Sequence, residues 1–172
     1  MSIVLETSRL QLRQITTADA AFVYELVNTP GWHRFIGDRG VNSLEKAERY
    51  IEENYLPMYE KHNFGAYVMI RKQDQLPIGS CGLYQREQFD HPDIGYALLP
   101  TFTRQGYAIE AVRAVFDMAV KTLGFKTILA ITTQDNVASF RLLKKLGMQP
   151  IDTFQFKEED EELFLFSTQN QE

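Results

Sequence analysis

Arg9–Ile15 (RLQLRQI) alternates apolar and polar positions, the period-two pattern of a strand with one buried face. The period then changes. From an N-cap at Thr16 or Thr17, ADAAFVYELV predicts a helix that stops before Pro30. Thr29–Gly40 (TPGWHRFIGDRG) is rich in turn formers and is expected to be a loop carrying aromatic side chains. NSLE at Asn42–Glu45 has the form of a capping box. Behind it Leu44, Ala47, Ile51, Tyr55 and Met58 recur at helical spacing, with Pro57 ending or kinking the helix.

Two further strands, Phe64–Arg71 and Ile78–Tyr84, flank the polar turn KQDQLP and predict a hairpin. Asp93–Leu99 (DIGYALL) is the next strand. The helix after Gly106 presents Ala108, Val112, Val115, Phe116, Ala119 and Leu123 on one face and ends before Gly124. Thr127–Thr132 (TILAIT) is continuously apolar, as in a central strand covered on both faces. Asn136–Leu146 predicts a helix followed by Gly147, and PIDTFQFK to ELFLFST a last hairpin turning at an acidic run. No repeat, linker or low-complexity stretch interrupts the chain, so one α+β domain over 1–172 is expected.

From Asp93 to Leu146 the order is strand, turn, helix, strand, turn, helix. Its two strands are therefore expected to be parallel, with a right-handed crossover. Ligands of such units sit beyond the carboxyl ends of the strands. Those ends carry the Pro100–Gln105 turn and the TTQDN turn at Thr132–Asn136.

Composition narrows the chemistry. With 172 residues, 44% of them hydrophobic, the chain can bury a full core. It holds no apolar run of membrane-spanning length and no signal-peptide pattern in MSIVLETSRLQLR. One cysteine, Cys81, forms no internal disulfide and fits a cytoplasmic setting. Its IGSCGLY setting is that of a small buried hydrophobe more than of an acyl-carrying nucleophile. Three scattered histidines lack metal-ligand spacing, so no metal is expected. The net charge of −5 is concentrated in KEEDEE at Lys157–Glu162, and no basic stripe points to nucleic acid. An acidic surface leans toward a cationic substrate.

The turn TRQGYAIEA (Thr103–Ala111) runs into a helix N-terminus, where unpaired N–H groups and the helix dipole favour an anion. Its single glycine is too few for a Walker or dinucleotide-binding loop. ETSRLQLRQ (Glu6–Gln14), IGYALLPTFTRQGYAIEA (Ile94–Ala111) and NVASFRLLKKLGM (Asn136–Met148) together resemble the GNAT superfamily of acetyl-CoA-dependent N-acetyltransferases. More narrowly they resemble its Rim-type branch, which acetylates ribosomal-protein N-termini. The resemblance covers nearly the whole chain. It implies a mixed, mostly antiparallel central sheet with one parallel strand pair and flanking helices, and acetyl-CoA as co-substrate.

In that family a Q/R-x-x-G-x-G/A loop offers backbone N–H groups to the coenzyme A pyrophosphate. The frame here is Thr103-Arg104-Gln105-Gly106-Tyr107-Ala108, matching at the fourth and sixth positions and departing at the first. Backbone donation survives that change, and Arg104 adds a candidate charge-assisted contact. By position the resemblance implies Arg104, Gln105, Gly106, Tyr107, Ala108 and Ile109 around the phosphates, and the backbones of Tyr96, Ala97 and Leu98 along the pantetheine arm. Asn136 is either an N-cap or a side-chain donor to that arm. Ser139 is placed to face the thioester sulfur, or simply bonds its own backbone.

Acetyl transfer needs a neutral amine, a stabilised oxyanion and a proton for the departing thiolate. Asp93 is the candidate base, with a solvated strand-end acid as the plainer account; Glu110, Glu87 and His91 are alternatives. The Leu98 N–H is the positional candidate for the oxyanion. Many family members carry tyrosine seven residues after the motif asparagine, and here that position is Leu143, so Ser139 or water must replace the phenol. Trp32–Phe35, Tyr55, Tyr59 and the last hairpin are expected to wall the acceptor side. The acceptor is an amine, either a protein N-terminus or a small molecule, and homodimerisation is open. A non-catalytic acyl-CoA-binding module and a dimeric scaffold without cofactor are the competing readings.

Overall fold

A computed structural model describes residues 2–168. The chain opens with β1 (Ile3–Glu6), a short edge strand that the apolar pattern does not announce, and turns back into β2 (Leu10–Gln14). A 3-10 turn at Thr17–Asp19 leads into α1 (Ala20–Val27). The expected loop at Thr29–Gly40 contains a helix instead, α2 (Pro30–Phe35). Pro30 occupies its first turn, where a missing N–H costs nothing, and the Thr29 hydroxyl accepts from the Trp32 N–H at 3.2 Å. Next come α3 (Leu44–Asn54) and α4 (Leu56–His62), broken at Tyr55 beside Pro57 as expected. The cap of α3 is Ser43, whose Oγ accepts from Lys46 N–H at 3.1 Å. With lysine as its reciprocal residue, the box expected at Asn42–Glu45 does not form.

β3 (Ala66–Arg71) and β4 (Leu76–Tyr84) form the hairpin, followed by β5 (Asp93–Leu98). Then come α5 (Tyr107–Lys121), β6 (Leu129–Thr133), α6 (Val137–Lys145) and the hairpin β7 (Gln149–Phe154) and β8 (Leu163–Ser167). β6 starts two residues later than its apolar run, because Ile128 instead exchanges bonds with Thr168. The eight strands make one mixed sheet in the order β1-β2-β3-β4-β5-β6-β8-β7. All neighbours are antiparallel except β5 and β6, the parallel pair expected from the strand-helix-strand order. Among the described residues no helix is long and apolar enough to cross a membrane.

Both faces of the sheet are covered. Tyr67 and Met69 of β3 join Ile78, Leu83, Val112, Val115, Leu142 and Phe166 under α5 and α6. Ala66, Val68 and Ile70 point the other way, into a second core with Val23, Leu26, Trp32 and Ile51 from α1, α2 and α3. Two-sided burial explains why β3 and β4 are mostly apolar and do not alternate with polar positions.

Candidate active site

β5 and β6 are paired at a single position, Asp93 opposite Leu129. The neighbouring bond, from the Leu129 N–H to the Pro92 carbonyl at 2.9 Å, lies at the same end. Beyond it the strands part, while β5 stays paired to β4 along its whole length, from Tyr84 opposite Asp93 to Gly79 opposite Leu98. The direction of the exposed main chain follows from the ladder. Leu99 N–H donates to the Ile78 carbonyl at 2.9 Å, so alternation turns Ala97 toward β4 and turns Tyr96 and Leu98 toward the gap. Of the three residues expected along the pantetheine arm, Tyr96 and Leu98 thus present main-chain groups to the opening. The side chains divide similarly. Tyr96 and Leu98 pack on the α5 and α6 face, and Ala97 lies on the opposite face, which by alternation is also that of Asp93.

At the carboxyl end of β5 a 3-10 turn at Pro100–Phe102 leads to the turn before α5. Arg104 (φ +60°) and Gly106 (φ +82°) are both left-handed, with Gln105 between them outside that region and Tyr107 already helical. Alternating hand along consecutive residues makes their N–H groups converge on one concavity, the geometry of an anion nest. The first helical bond runs from Glu110 N–H to the Gly106 carbonyl at 3.2 Å, which leaves the N–H groups of Tyr107, Ala108 and Ile109 without partners in the helix. Arg104 and Gln105 are exposed at the mouth of this turn.

Glu110 is not available as a base. Its Oε1 accepts from Thr7 Oγ1 (2.6 Å), Arg9 N–H (2.9 Å) and Ser8 Oγ (3.2 Å), and its Oε2 accepts from Arg9 Nε (2.7 Å). Burial would raise its carboxyl, but the bonds from Thr7 and Arg9 outweigh that and hold it below the usual range.

Asp93 is a different acid. It is buried (1% exposed) and accepts from Arg86 Nε at 2.9 Å. Burial pushes its carboxyl up and Arg86 only partly offsets this, so its proton affinity lies above that of an ordinary aspartate. The solvated strand-end carboxylate is therefore not what forms. Glu87 and His91, the loop alternatives, are exposed.

On the α6 side, Asn136 caps the helix through Oδ1, which accepts from Ser139 N–H at 3.2 Å. A bond to a cofactor arm would have to come from its Nδ2. Ser139 is buried one turn further on and lies beside the Tyr96 phenol. Burial raises that phenol, and the Ser139 hydroxyl tempers the shift. Leu143 is core, so no phenol stands at that position. Cys81 is fully buried and its thiol is pushed up by desolvation, which removes it as a nucleophile. Part of the expected aromatic wall is core. Trp32 and Tyr55 are buried, and the Tyr59 hydroxyl is taken by the Ile15 N–H (3.0 Å) and the Ala66 carbonyl.

Three participants have no local sequence signal. Arg86 lies in a polar loop, the sequence singles out Tyr96 for its backbone alone, and Arg9 lies far along the chain from the turn it touches. Each is identified by a partner brought close by the sheet, not by a neighbour in the chain.

The Acetyltransferase (GNAT) domain family matches residues 9–149. YoaA, an uncharacterized N-acetyltransferase of Bacillus subtilis (strain 168), is 32% identical over 147 residues, covering 85% of this chain and 82% of that protein. Another from the same organism, YnaD, is 29% identical over 145 residues, covering 84% and 82%. Among solved structures, an acetyltransferase from Agrobacterium tumefaciens superposes with a TM-score of 0.80 at 23% identity, covering 99% of this chain and 96% of that one. The ribosomal-protein acetyltransferase RimL in complex with coenzyme A superposes with a TM-score of 0.83 at 16% identity, covering 96% and 97%.

Proposed function

The chain belongs to the GNAT acetyltransferases, and from that premise we propose that it passes acetyl from acetyl-CoA directly to a primary amine within a ternary complex. The acceptor is a protein N-terminus or a small-molecule amine, and residues 1–172 act as one domain. A lone buried Cys81 suits a reducing, cytoplasmic setting. The observation that carries the reading is the opening between β5 and β6, which starts at Asp93 and ends at the turn around Gly106.

In this reading the pyrophosphate rests on the N–H groups of Gly106, Tyr107, Ala108 and Ile109, with Gln105 shaping the turn and Arg104 at its exposed edge. The pantetheine arm extends β5 in the manner of an added strand, bonded to Tyr96 and Leu98. Ala97 contributes shape on the opposite face, and Asn136 Nδ2 reaches the arm from α6. Asp93, on the acceptor face, takes a proton from the ammonium directly or through water. The neutral nitrogen attacks the thioester carbonyl, and the oxyanion is met by the Leu98 N–H. When the C–S bond breaks, its electron pair stays on sulfur, and Ser139 or water relays to it the second proton released by the attacking nitrogen. A thiol is acidic enough, at about 8.5, to leave with little assistance.

Two measurements test this together. Acetyl-CoA at about a hundred times its Kd should stabilise the fold by about 2.7 kcal/mol, and labelled acetyl should appear on members of an amine panel. Neither a melting shift nor transfer to any amine would reject the proposal.

A further inference from the structure

Resting on the coenzyme A reading above, we infer that Arg9 is the positioning residue for the pyrophosphate turn: it sets the orientation of the peptide that presents the Gly106 N–H.

Arg9 immediately precedes β2, nearly a hundred residues from that turn, yet its guanidinium meets it from beneath. Nη1 donates to the Gln105 carbonyl at 2.9 Å, and the guanidinium carbon sits 4.3 Å from the centre of the Tyr107 ring. Its other edge donates to Glu110 Oε2, with Nε and Nη2 each at 2.7 Å. A β-carbon placed on Gly106 would come within 3.2 Å of Nη2, so turn and guanidinium are in near contact. In a trans peptide the C=O and the following N–H point in opposite directions. Holding the Gln105 carbonyl down onto Arg9 therefore turns the Gly106 N–H outward, toward the side where the anion would sit.

The clasp also explains why a left-handed turn with a single glycine keeps its shape. Arg104 holds φ +60° without glycine's freedom, a conformation that persists only when neighbours enforce it. Glu110 completes the device. It neutralises the guanidinium and, through Thr7 Oγ1 and the Arg9 N–H, fastens it to the β1–β2 turn. Arg9 thus works as a fork with fixed acceptors on both sides, a task a lysine cannot reproduce.

The test uses the full chain, calorimetric titration with coenzyme A, and steady-state kinetics well below the melting temperature of each variant. Arg9→Met keeps the aliphatic stem but no donor, and is expected to weaken coenzyme A about tenfold, the worth of one lost charge-assisted bond. KM for acetyl-CoA should rise in parallel while kcat at saturation stays within about twofold, since the reacting groups are untouched. Arg9→Lys offers one compact ammonium in place of the planar fork and should recover part of the loss. Glu110→Gln separates positioning from direct contact. If Arg9 positions the turn, freeing it weakens coenzyme A; if Arg9 were the phosphate's counter-charge, removing Glu110 would tighten it. Tighter binding by Glu110→Gln, or unchanged affinity in the folded Arg9 variants, overturns the inference; Arg9→Lys carries the test if Arg9→Met does not fold. Failure of the wild-type protein to bind coenzyme A would instead overturn the functional reading.

Discussion

The Asp93 carboxylate accepts a 2.9 Å bond from Arg86 Nε at the one position where β5 is still paired with β6. The pair joins a buried acid to a half-exposed base at the apex of the opening (side-chain exposures 2% and 31%). Burial keeps the acid's proton affinity high, and Arg86 keeps it from rising further. A carboxylate of raised affinity is a better proton acceptor than a free one, which is what attack by an amine requires.

Asp93→Asn should therefore lower kcat by about 10²–10⁴-fold and leave the affinity for acetyl-CoA unchanged. Stability should behave differently. A carboxyl raised in the fold stabilises most below its unfolded value, and that contribution is lost as pH rises through the folded value. Wild type should therefore lose stability relative to the uncharged variant as pH rises through that folded value, read by denaturant unfolding at a series of pH values. A large loss of stability with unchanged turnover would make Asp93 a structural residue.

Arg86→Leu removes the cation that holds the Asp93 carboxyl down. Because the base must be ionised, kcat/KM rises with pH, and its acid limb should move to higher pH in the variant. Turnover should be depressed at acid pH and converge on wild type at alkaline pH. A limb that stays in place would mean that another group is titrating.

Gly106→Val imposes a β-branched side chain at φ +82° and crowds Arg9. The strain should cost about 1–3 kcal/mol of stability, measurable as a lower melting temperature in a protein that still folds. The turn should open enough to lose two anion contacts, weakening coenzyme A by about a hundredfold or more. Normal affinity in this variant would move the phosphate site elsewhere.

Glu110→Gln should cost about 1–3 kcal/mol at neutral pH, because it unbalances a carboxylate bonded by Thr7 and Arg9. The wild-type carboxyl is held low in the fold. Its contribution is present above the unfolded value and lost as pH falls through the folded one. The difference in stability between wild type and variant should shrink as the solution is acidified through that range. A difference independent of pH would leave packing, not charge, as the role of Glu110.

Much of the fold was legible in local pattern. The period-two run at Arg9–Ile15 became β2, and the helical periods after Thr17, Leu44, Gly106 and Asn136 became α1, α3, α5 and α6. Strand-turn-helix order was enough to predict the parallel pair β5 and β6. The left-handed Gly106 at a helix start was the clearest local mark of a site, because only a glycine takes that conformation without strain. Where local reading failed, a competing local signal was present. Thr29-Pro30 reads as a loop but is a cap followed by a first-turn proline, and Asn42 reads as the cap that Ser43 provides.

The sequence by itself determined most of the strands and helices, β1 and α2 excepted, since side-chain period and capping chemistry act between residues a few places apart. Tertiary structure decided the order of the sheet and the extent of each pairing. Only the assembled sheet inserts β8 between β6 and β7, parts β5 from β6 beyond Asp93, and turns Tyr96 and Leu98 rather than Ala97 toward the gap. It also buries Asp93 against Arg86 and carries Arg9 to Gln105 and Glu110. Burial and long-range contact set the proton affinity of a carboxyl and the orientation of a peptide, and neither is written in the neighbouring residues.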